Sequence, residues 1–173
     1  MHQSISKQDR YQKGKFAPRV PKSKKEEAEF GPGKIDIVIC KKCGSVYYGK
    51  SWHHRLEDYK HLSEHKNIKF VLCPACQMIK DKQYEGVVTL INIPQDKKAE
   101  ILNLVRNVGQ RAFEKDPLDR IIKIKKGGKD MAIFTTENQL AVIIGKQIKR
   151  AFQGKLNIKW SHQESTVRIR ITF

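Results

Sequence analysis

Two short stretches decide how this chain folds: CKKC at residues 40–43 and CPAC at residues 73–76. Each is a C-x2-C pair, and together they hold all four cysteines of the 173-residue sequence. Two residues between cysteines let the backbone turn so that both thiolates face one ion. Two such turns form the tetrahedral S4 site that Zn²⁺ prefers. The spacing therefore predicts one structural zinc ion bound by Cys40, Cys43, Cys73 and Cys76.

Other uses of paired cysteines are less well supported. The first residues, MHQS, contain no apolar stretch that could act as a secretion signal, so we expect a cytoplasmic protein in a reducing compartment without disulfides. A redox centre would need a single C-x2-C at the start of a helix that follows a strand, whereas both pairs here lie in ribbon-like contexts. Four thiolates leave no open coordination position, so the ion is expected to hold the fold and not to act in catalysis.

Histidines between the two pairs leave one alternative open. They are His53, His54, His61 and His65. One of them could replace a cysteine or bind a second ion, or all could be solvated or contact phosphate.

The charge of the chain narrows its partners. Lys and Arg number 35 against 18 Asp and Glu, which gives a formal net charge of +17. Such a surplus favours a polyanion, and no apolar run approaches the roughly 20 residues that a membrane helix needs. We therefore expect nucleic acid and no membrane, although a basic surface that serves only solubility is the simpler alternative.

The sequence divides into three regions. Residues 1–34 are basic and rich in Pro and Gly, and they predict a disordered tail. Residues 35–86 contain the cysteines, a hairpin that turns at Gly49-Lys50 and a short helix within 53–66, and they predict a zinc ribbon. Residues 87–173 predict an α+β domain.

The α+β domain follows from its periodicity. The pattern is β-α-β-β-α-β-β, which indicates a two-layer sandwich with two helices on one face of a mostly antiparallel sheet. The apolar stripes of the helices are Ile101, Val105, Val108 and Ala112 in the first, and Leu140, Ile144, Ile148 and Phe152 in the second. Asp96 is the expected N-cap of the first helix, a capping box is expected at 136–139, and Gly154 is expected to end the second helix in the left-handed conformation.

Alternation in three strands of this domain predicts a cationic surface. Ile122 and Ile124 are expected to face the core, with Ile121 on the opposite side. The open face of the sheet would then carry Lys123, Lys125, Lys159, Arg168 and Arg170. No aromatic side chain is expected on that face, so contacts with the nucleic-acid backbone are favoured over base stacking.

Aromatic residues cluster instead in the predicted ribbon. Tyr48 and Trp52 lie near the basic residues Lys41, Lys42 and Arg55. Such aromatics could stack on unpaired bases, or they could form the small core that a zinc module needs, and the two interpretations are equally supported. We find no Gly-rich phosphate loop and no catalytic triad or carboxylate pair, so an enzyme is not expected.

Several segments together resemble a known family. The segments are 73–76, 84–90, 128–134, 141–152 and 167–170. Their order is similar to that in the large-ribosomal-subunit export adaptor of archaea and eukaryotes, which was first named for nonsense-mediated decay. The likeness covers about residues 40–173, and the chain also resembles small bacterial zinc-ribbon proteins of no assigned function.

The resemblance implies binding to ribosomal RNA on the joining face of the large subunit, with a role in assembly, quality control or hibernation and with ribosomal proteins as further partners. We expect a monomer. The chain has two C-x2-C pairs where the family has more, and no leucine-rich export signal, so export is not expected. The alternatives are a DNA-associated zinc ribbon in transcription and a protein-protein adaptor.

Overall fold

The computed structural model describes residues 37–55, 57, 68–161 and 165–173. These described residues belong to one compact unit. The elements in chain order are β1 (Ile37–Cys40), β2 (Val46–Tyr48), β3 (Ser51–His53), β4 (Ile68–Val71), α1 (Pro74–Lys80), β5 (Gly86–Ile91), α2 (Lys98–Lys115), β6 (Ile121–Gly127), β7 (Asp130–Thr135), α3 (Asn138–Phe152), β8 (Lys155–Ser161) and β9 (Thr166–Thr172).

The cysteine-containing region forms a small sheet with the strand order β3-β2-β1-β4. Strands β1, β2 and β3 pair antiparallel, whereas β4 pairs parallel to β1. Gly49 and Lys50 connect β2 to β3 with φ angles of 56° and 67°, which is the left-handed pair that a two-residue hairpin requires. The predicted hairpin is confirmed at this position.

The second C-x2-C pair differs from the ribbon turn that its sequence indicates. Cys73 is the N-cap of α1, Pro74 opens the helix, and the Cys73 thiol accepts a hydrogen bond from the Cys76 N–H. Proline fits the first helical turn because its ring sets a helical φ and its missing N–H is not needed there. This pair therefore lies at the start of a helix that follows a strand.

The second sheet has the strand order β6-β7-β5-β9-β8. The central pair β5–β9 is parallel and the other three pairs are antiparallel. Both α2 and α3 contribute to one apolar core with this sheet. The predicted fold class, a zinc-ribbon-like module followed by an α+β sandwich, is confirmed.

The core contains the two predicted helical stripes. Ile101 and Val105 of α2, and Leu140, Ile144 and Ile148 of α3, are almost fully buried against the sheet. Alternate residues of the central strands complete this core, and they are Val88, Leu90, Met131, Ile133, Val167, Ile169 and Ile171. The other side of each central strand is left uncovered by the helices.

The side of the sheet predicted for the Ile121 side chain is wrong. The register of β6 against β7 shifts between Ile121 and Lys123, so that Ile121 lies opposite Thr135 and Ile124 lies opposite Ile133. Such a bulge places one extra residue in β6, which turns Ile121 towards the core. Ile121 and Ile124 pack on the core, and Lys123 and Lys125 keep their predicted side of the sheet.

The predicted helix caps are also wrong. Helix α2 has Lys97 as its N-cap with no side-chain cap, and α3 has Glu137 as its N-cap, also uncapped by its side chain. Thr136 instead donates its hydroxyl hydrogen to the Leu118 carbonyl at 2.6 Å. The left-handed residue after α3 is Gln153, at φ 57°.

Some predictions fall outside the described residues. The tail at residues 1–34 and almost all of the helix expected within 53–66 lie there, as does the centre of the connection between β8 and β9. The domain boundaries at residues 34 and 86 stay predictions.

Among the described residues, every helix is either too short or too polar to cross a lipid bilayer.

Gly86 allows α3 to approach the sheet closely, and this contact gives a test of the packing. A Cβ at Gly86 would meet the Thr135 hydroxyl and lie 2.5 Å from the Ala141 Cβ. We expect Gly86→Ala to lower the free energy of unfolding by about 1–3 kcal/mol, because overpacking forces neighbouring atoms to shift. Urea unfolding measures the change. Gly127→Ala is the control, since a Cβ there meets nothing within 4 Å, and equal effects would contradict the packing.

Glu137 lies at the start of α3 among other carboxylates. Burial, and then the neighbouring charges of Glu85, Asp119 and Asp116, raise the pKa of Glu137 from 4.5 to about 7. The folded state therefore binds this proton more tightly than the unfolded state does. Stability from this group is present at low pH and is lost as pH rises from 4.5 through about 7.

We expect Glu137→Gln to raise the melting temperature at pH 8 and to change it little at pH 5. The amide removes the ionised form that the folded state disfavours. Thermal unfolding at both pH values measures the difference, with exposed Asp96→Asn as the control. A gain of the same size at both pH values would contradict the ionisation of Glu137 as the cause.

Candidate metal centre and cationic sheet face

The four cysteines lie together, as predicted. Their Sγ atoms are all within 4.8 Å of one another, and no other His, Cys, Asp or Glu of the described part of the chain joins the group. The Cys43 and Cys73 Sγ atoms are 3.7 Å apart. All four are free, without a disulfide. Four thiolates at this separation can hold a single metal ion.

The backbone around the first pair holds its sulfurs in place. Gly44 donates its N–H to the Cys40 carbonyl at 2.8 Å, which closes the tight turn between Cys40 and Cys43. Gly44 has a φ of 76°, a conformation that glycine adopts without strain. The Cys73 N–H points at the Cys40 sulfur over 3.2 Å. Backbone donors of this kind stabilise thiolate charge, because each offers a partial positive charge to the sulfur.

Arg120 reaches the cysteine cluster from the sandwich. Its Nη2 donates to Cys43 Sγ at 3.2 Å, and its Nη1 donates to Cys76 Sγ at 3.5 Å. Its Nε donates to the Pro117 carbonyl at 2.7 Å, which sets the plane of the guanidinium group. Since four thiolates around a divalent ion carry a net charge of about −2, a positive group at this distance stabilises the site.

Thr136 fixes the backbone of Arg120, and Phe113 packs against its guanidinium group. Thr136, which is fully buried, accepts the Arg120 N–H with its Oγ1 at 2.8 Å and donates its own N–H to the Arg120 carbonyl at 2.9 Å. The guanidinium carbon lies 5.2 Å from the centre of the Phe113 ring. Sequence patterns did not identify Arg120, because it lies 77 residues from Cys43 and 44 from Cys76.

The cysteines differ in their electrostatic surroundings. Burial raises the pKa of the Cys43 thiol, but hydrogen bonds with the Ser45 hydroxyl and the Arg120 guanidinium together outweigh burial and lower it to about 6. Burial raises the pKa of the Cys73 and Cys76 thiols. A bound metal ion deprotonates its thiol ligands outright, so these directions apply to the metal-free cluster.

The described histidines do not join the cluster. His53 stacks on Tyr48, with ring centres 3.9 Å apart. His54 is placed against α2, where its Nε2 lies 2.6 Å from the Phe113 carbonyl oxygen and its ring packs edge-on against the Phe113 ring. Both histidines therefore contact aromatic side chains and not the cysteine sulfurs, and the other two candidates, His61 and His65, lie outside the described residues.

The aromatic residues of the first sheet serve mainly as its core. Trp52 is only 8% exposed and packs against Tyr47 at 5.5 Å. Its burial favours the core interpretation and leaves little ring surface for a base. Tyr48 is half-buried against His53. Lys41, Lys42 and Arg55 are exposed, the first two in the turn between Cys40 and Cys43.

The predicted cationic residues share one face of the second sheet. Side chains directly opposite each other on neighbouring strands point to the same side. One row across all five strands is Lys123, Phe134, Val87, Arg168 and Lys159. The next row is Lys125, Ala132, Thr89, Arg170 and Asn157. Five of these ten side chains are basic and none is acidic. We name this surface the cationic face.

The absence of aromatics predicted for this face is wrong. Phe134 lies in the first row, and the Lys123 and Lys125 Nζ atoms lie 4.6 and 5.8 Å from its ring centre. Tyr84 contacts the same ring edge-on at 4.9 Å. Alternation in β7 alone would have placed Phe134 on the side of the sheet that Met131 and Ile133 do not face. The prediction of this face, however, used only the strands with basic residues.

No protein-family model and no curated protein sequence significantly matches this chain. The resemblance to the export-adaptor family therefore stays a prediction from the residues that carry it.

Arg120→Met tests the link between the sandwich and the metal centre. It keeps an unbranched stem but removes both contacts to sulfur, so we expect affinity for Zn²⁺ to fall about 10- to 100-fold. Arg120→Lys keeps the positive charge without the contacts to two sulfurs, so its affinity for Zn²⁺ should lie between those of the wild type and Arg120→Met. Competition with a chromogenic chelator measures the affinity.

The control is Arg111→Met. Arg111 is exposed, and its Nε donates to the Asn107 carbonyl of its own helix at 3.3 Å. Wild-type affinity in Arg120→Met would show that the guanidinium group does not stabilise the metal centre.

Proposed function

We propose that this chain is a zinc-stabilised protein that binds RNA through its cationic face, and that its target is ribosomal RNA of the large subunit. Zinc is supported by the distances at the cysteine cluster. A tetrahedral ion with Zn–S bonds of about 2.3 Å places its sulfurs roughly 3.8 Å apart, and the Cys43 and Cys73 sulfurs are 3.7 Å apart. Bound there, zinc would contribute folding energy and would offer no open position to a substrate.

The observation that carries the RNA proposal is the register of the second sheet. Lys123, Arg168 and Lys159 share one row, and Lys125 and Arg170 share the next. Strands lie about 4.8 Å apart, so the three strands that supply these residues hold the positive groups on one side of the sheet, in two groups roughly 14 Å apart. Like charges at this density destabilise the free protein, and a polyanion offsets that cost while releasing its own counterions.

The acidic residues of this sheet lie at its ends. Asp130 accepts a hydrogen bond from the Asn92 N–H beside the hairpin turn. Glu85 precedes the first residue of β5. Between these ends the basic residues form two groups, and both helices lie on the opposite side of the sheet, where they do not obstruct them. The groups are Lys123 with Lys125, and Lys159 with Arg168 and Arg170.

The ribosomal target rests on the family resemblance. The segments at 128–134 and 167–170 that carry the resemblance are the strands β7 and β9 with the turn before β7. They include Arg168 and Arg170 of the cationic face. The residues that resemble the family thus include two of those proposed to contact phosphate. We propose a role in assembly, quality control or hibernation of the ribosome.

Charge reversal on the cationic face tests RNA binding. We expect Arg168→Glu with Arg170→Glu to abolish retention of RNA. The slope of log K for RNA binding against the logarithm of the salt concentration should become shallower by about 0.7–0.9 for each phosphate contact removed. The matched control is Lys146→Glu with Lys149→Glu, which reverses two exposed charges on α3. Fluorescence anisotropy over a salt series measures both. Equal losses in the two double variants would mean that net charge, and not this face, governs binding.

Sucrose-gradient sedimentation of cell extract tests the ribosomal target. The protein should travel with the large subunit at low salt and leave it at high salt, because phosphate contacts weaken steeply with salt. Retention on DNA without ribosomal association would favour a role in transcription, and a salt-independent partner would favour a protein adaptor.

A further inference from the structure

The cationic face holds more than phosphate contacts. We infer that it binds single-stranded RNA, with one unpaired base stacked on Phe134 and the flanking phosphates held by the basic residues on either side. This inference rests on the proposed function, since it concerns the same face and the same polymer, and it adds which form of RNA the face selects.

The Phe134 ring is presented to the open side of the sheet. Lys123 Nζ lies over the ring at 4.6 Å from its centre and Lys125 Nζ at 5.8 Å. The Phe134 side chain is itself partly exposed, and the two ammonium groups are attracted to its ring. Ammonium groups on flexible stems move readily to a phosphate, and a base can then take their place over the ring.

Tyr84 packs against the Phe134 ring. The two ring centres are 4.9 Å apart, and the ring planes meet at 73°. A close aromatic neighbour in this arrangement restrains the Phe134 ring. A restrained ring loses little freedom when a base stacks on it, which favours binding.

The first row of the face places positive charge on both sides of Phe134. Lys123 is one strand away, and Arg168 is two strands away in the other direction. At about 4.8 Å per strand, these residues begin roughly 5 and 10 Å from the ring. A base on Phe134 would therefore have basic residues on both of its sides.

A cavity lies beside this row. It has a volume of about 520 Å³ and includes Tyr84 and Arg168 in its wall. Its other polar lining residues are Gln83, Glu85, Ser165 and Thr166. Its volume lies within the 300–1,000 Å³ that is common for small-molecule sites, which is room for an unstacked base next to the one on Phe134.

A duplex cannot use these features. Its bases are already stacked and paired, and Phe134 lies among the side chains of a flat sheet and cannot reach between them. A duplex would contact only the phosphate-binding residues. The ring and the cavity therefore predict a preference for unpaired strands.

The test measures three RNA probes by fluorescence anisotropy on the full chain. They are a 12-nucleotide uridine strand, an abasic strand of the same length and a 12-base-pair duplex. We expect Phe134→Leu to lower the affinity for the uridine strand about 5- to 150-fold, which is the range for loss of one stacked base. Binding of the abasic strand and of the duplex should not change.

Two further variants complete the set. Phe134→Tyr keeps the ring and should bind every probe as the wild type does. Phe134→Trp should show fluorescence quenching with the uridine strand beyond that of the native tryptophans, and no added quenching with the abasic strand. The tryptophan measurement decides the matter if Phe134→Leu does not fold, which near-ultraviolet circular dichroism reports.

The outcomes separate the two proposals. Wild-type protein that binds no probe at low salt overturns the proposed function and the inference together. Salt-dependent binding that Phe134→Leu leaves unchanged, or weakens equally for the duplex and abasic probes, overturns only the stacking of a base. Wild-type protein that prefers the duplex does the same.

Discussion

The contact between the Arg120 guanidinium group and two cysteine sulfurs joins the metal centre to the rest of the molecule. A four-thiolate site concentrates negative charge at a position that is largely shielded from water. Arg120 supplies a positive group that donates to Cys43 and Cys76, and Thr136 holds its backbone between α3 and β6. The first sheet therefore has a defined position against the sandwich, to which the contact of His54 with Phe113 adds.

In the part of the chain that the structure describes, the same arrangement leaves one face of the second sheet without a helix on it. Because α2 and α3 both pack on the other side, the open face must be compatible with solvent, and its strands meet that need with Lys, Arg and Thr. Phe134 is the one aromatic side chain in the two rows, and its surroundings of Lys123, Lys125 and Tyr84 explain how an aromatic ring is tolerated there. The proposed function thus assigns structural stability and binding to different parts of the chain, with the cysteines holding a metal ion and the open face binding RNA.

Predictions from sequence held best where one strong periodicity decided the outcome. The apolar stripes of α2 and α3 face the core because burying them outweighs any local alternative. The predictions were less accurate where several weak local preferences competed. Thr136 has the right spacing for a helix cap, yet its hydroxyl bonds to Leu118 in the segment before β6. Gly154 lies one residue after the left-handed position, in a place where a Cβ would lie 2.5 Å from Ile171. In both cases a partner distant in the chain determined the role of the residue.

The amino-acid sequence by itself determined which four cysteines come together, the two helices of the sandwich and the side of the sheet that carries positive charge. Each follows from spacing within a few residues, which the backbone geometry of turns, helices and strands converts directly into direction. Only the tertiary structure decided that Arg120 contacts the cysteines and that Phe134 lies between two groups of cations. Those contacts join residues on different elements, and their formation depends on strand order, the bulge in β6 and the packing of helix against sheet, none of which a local pattern encodes.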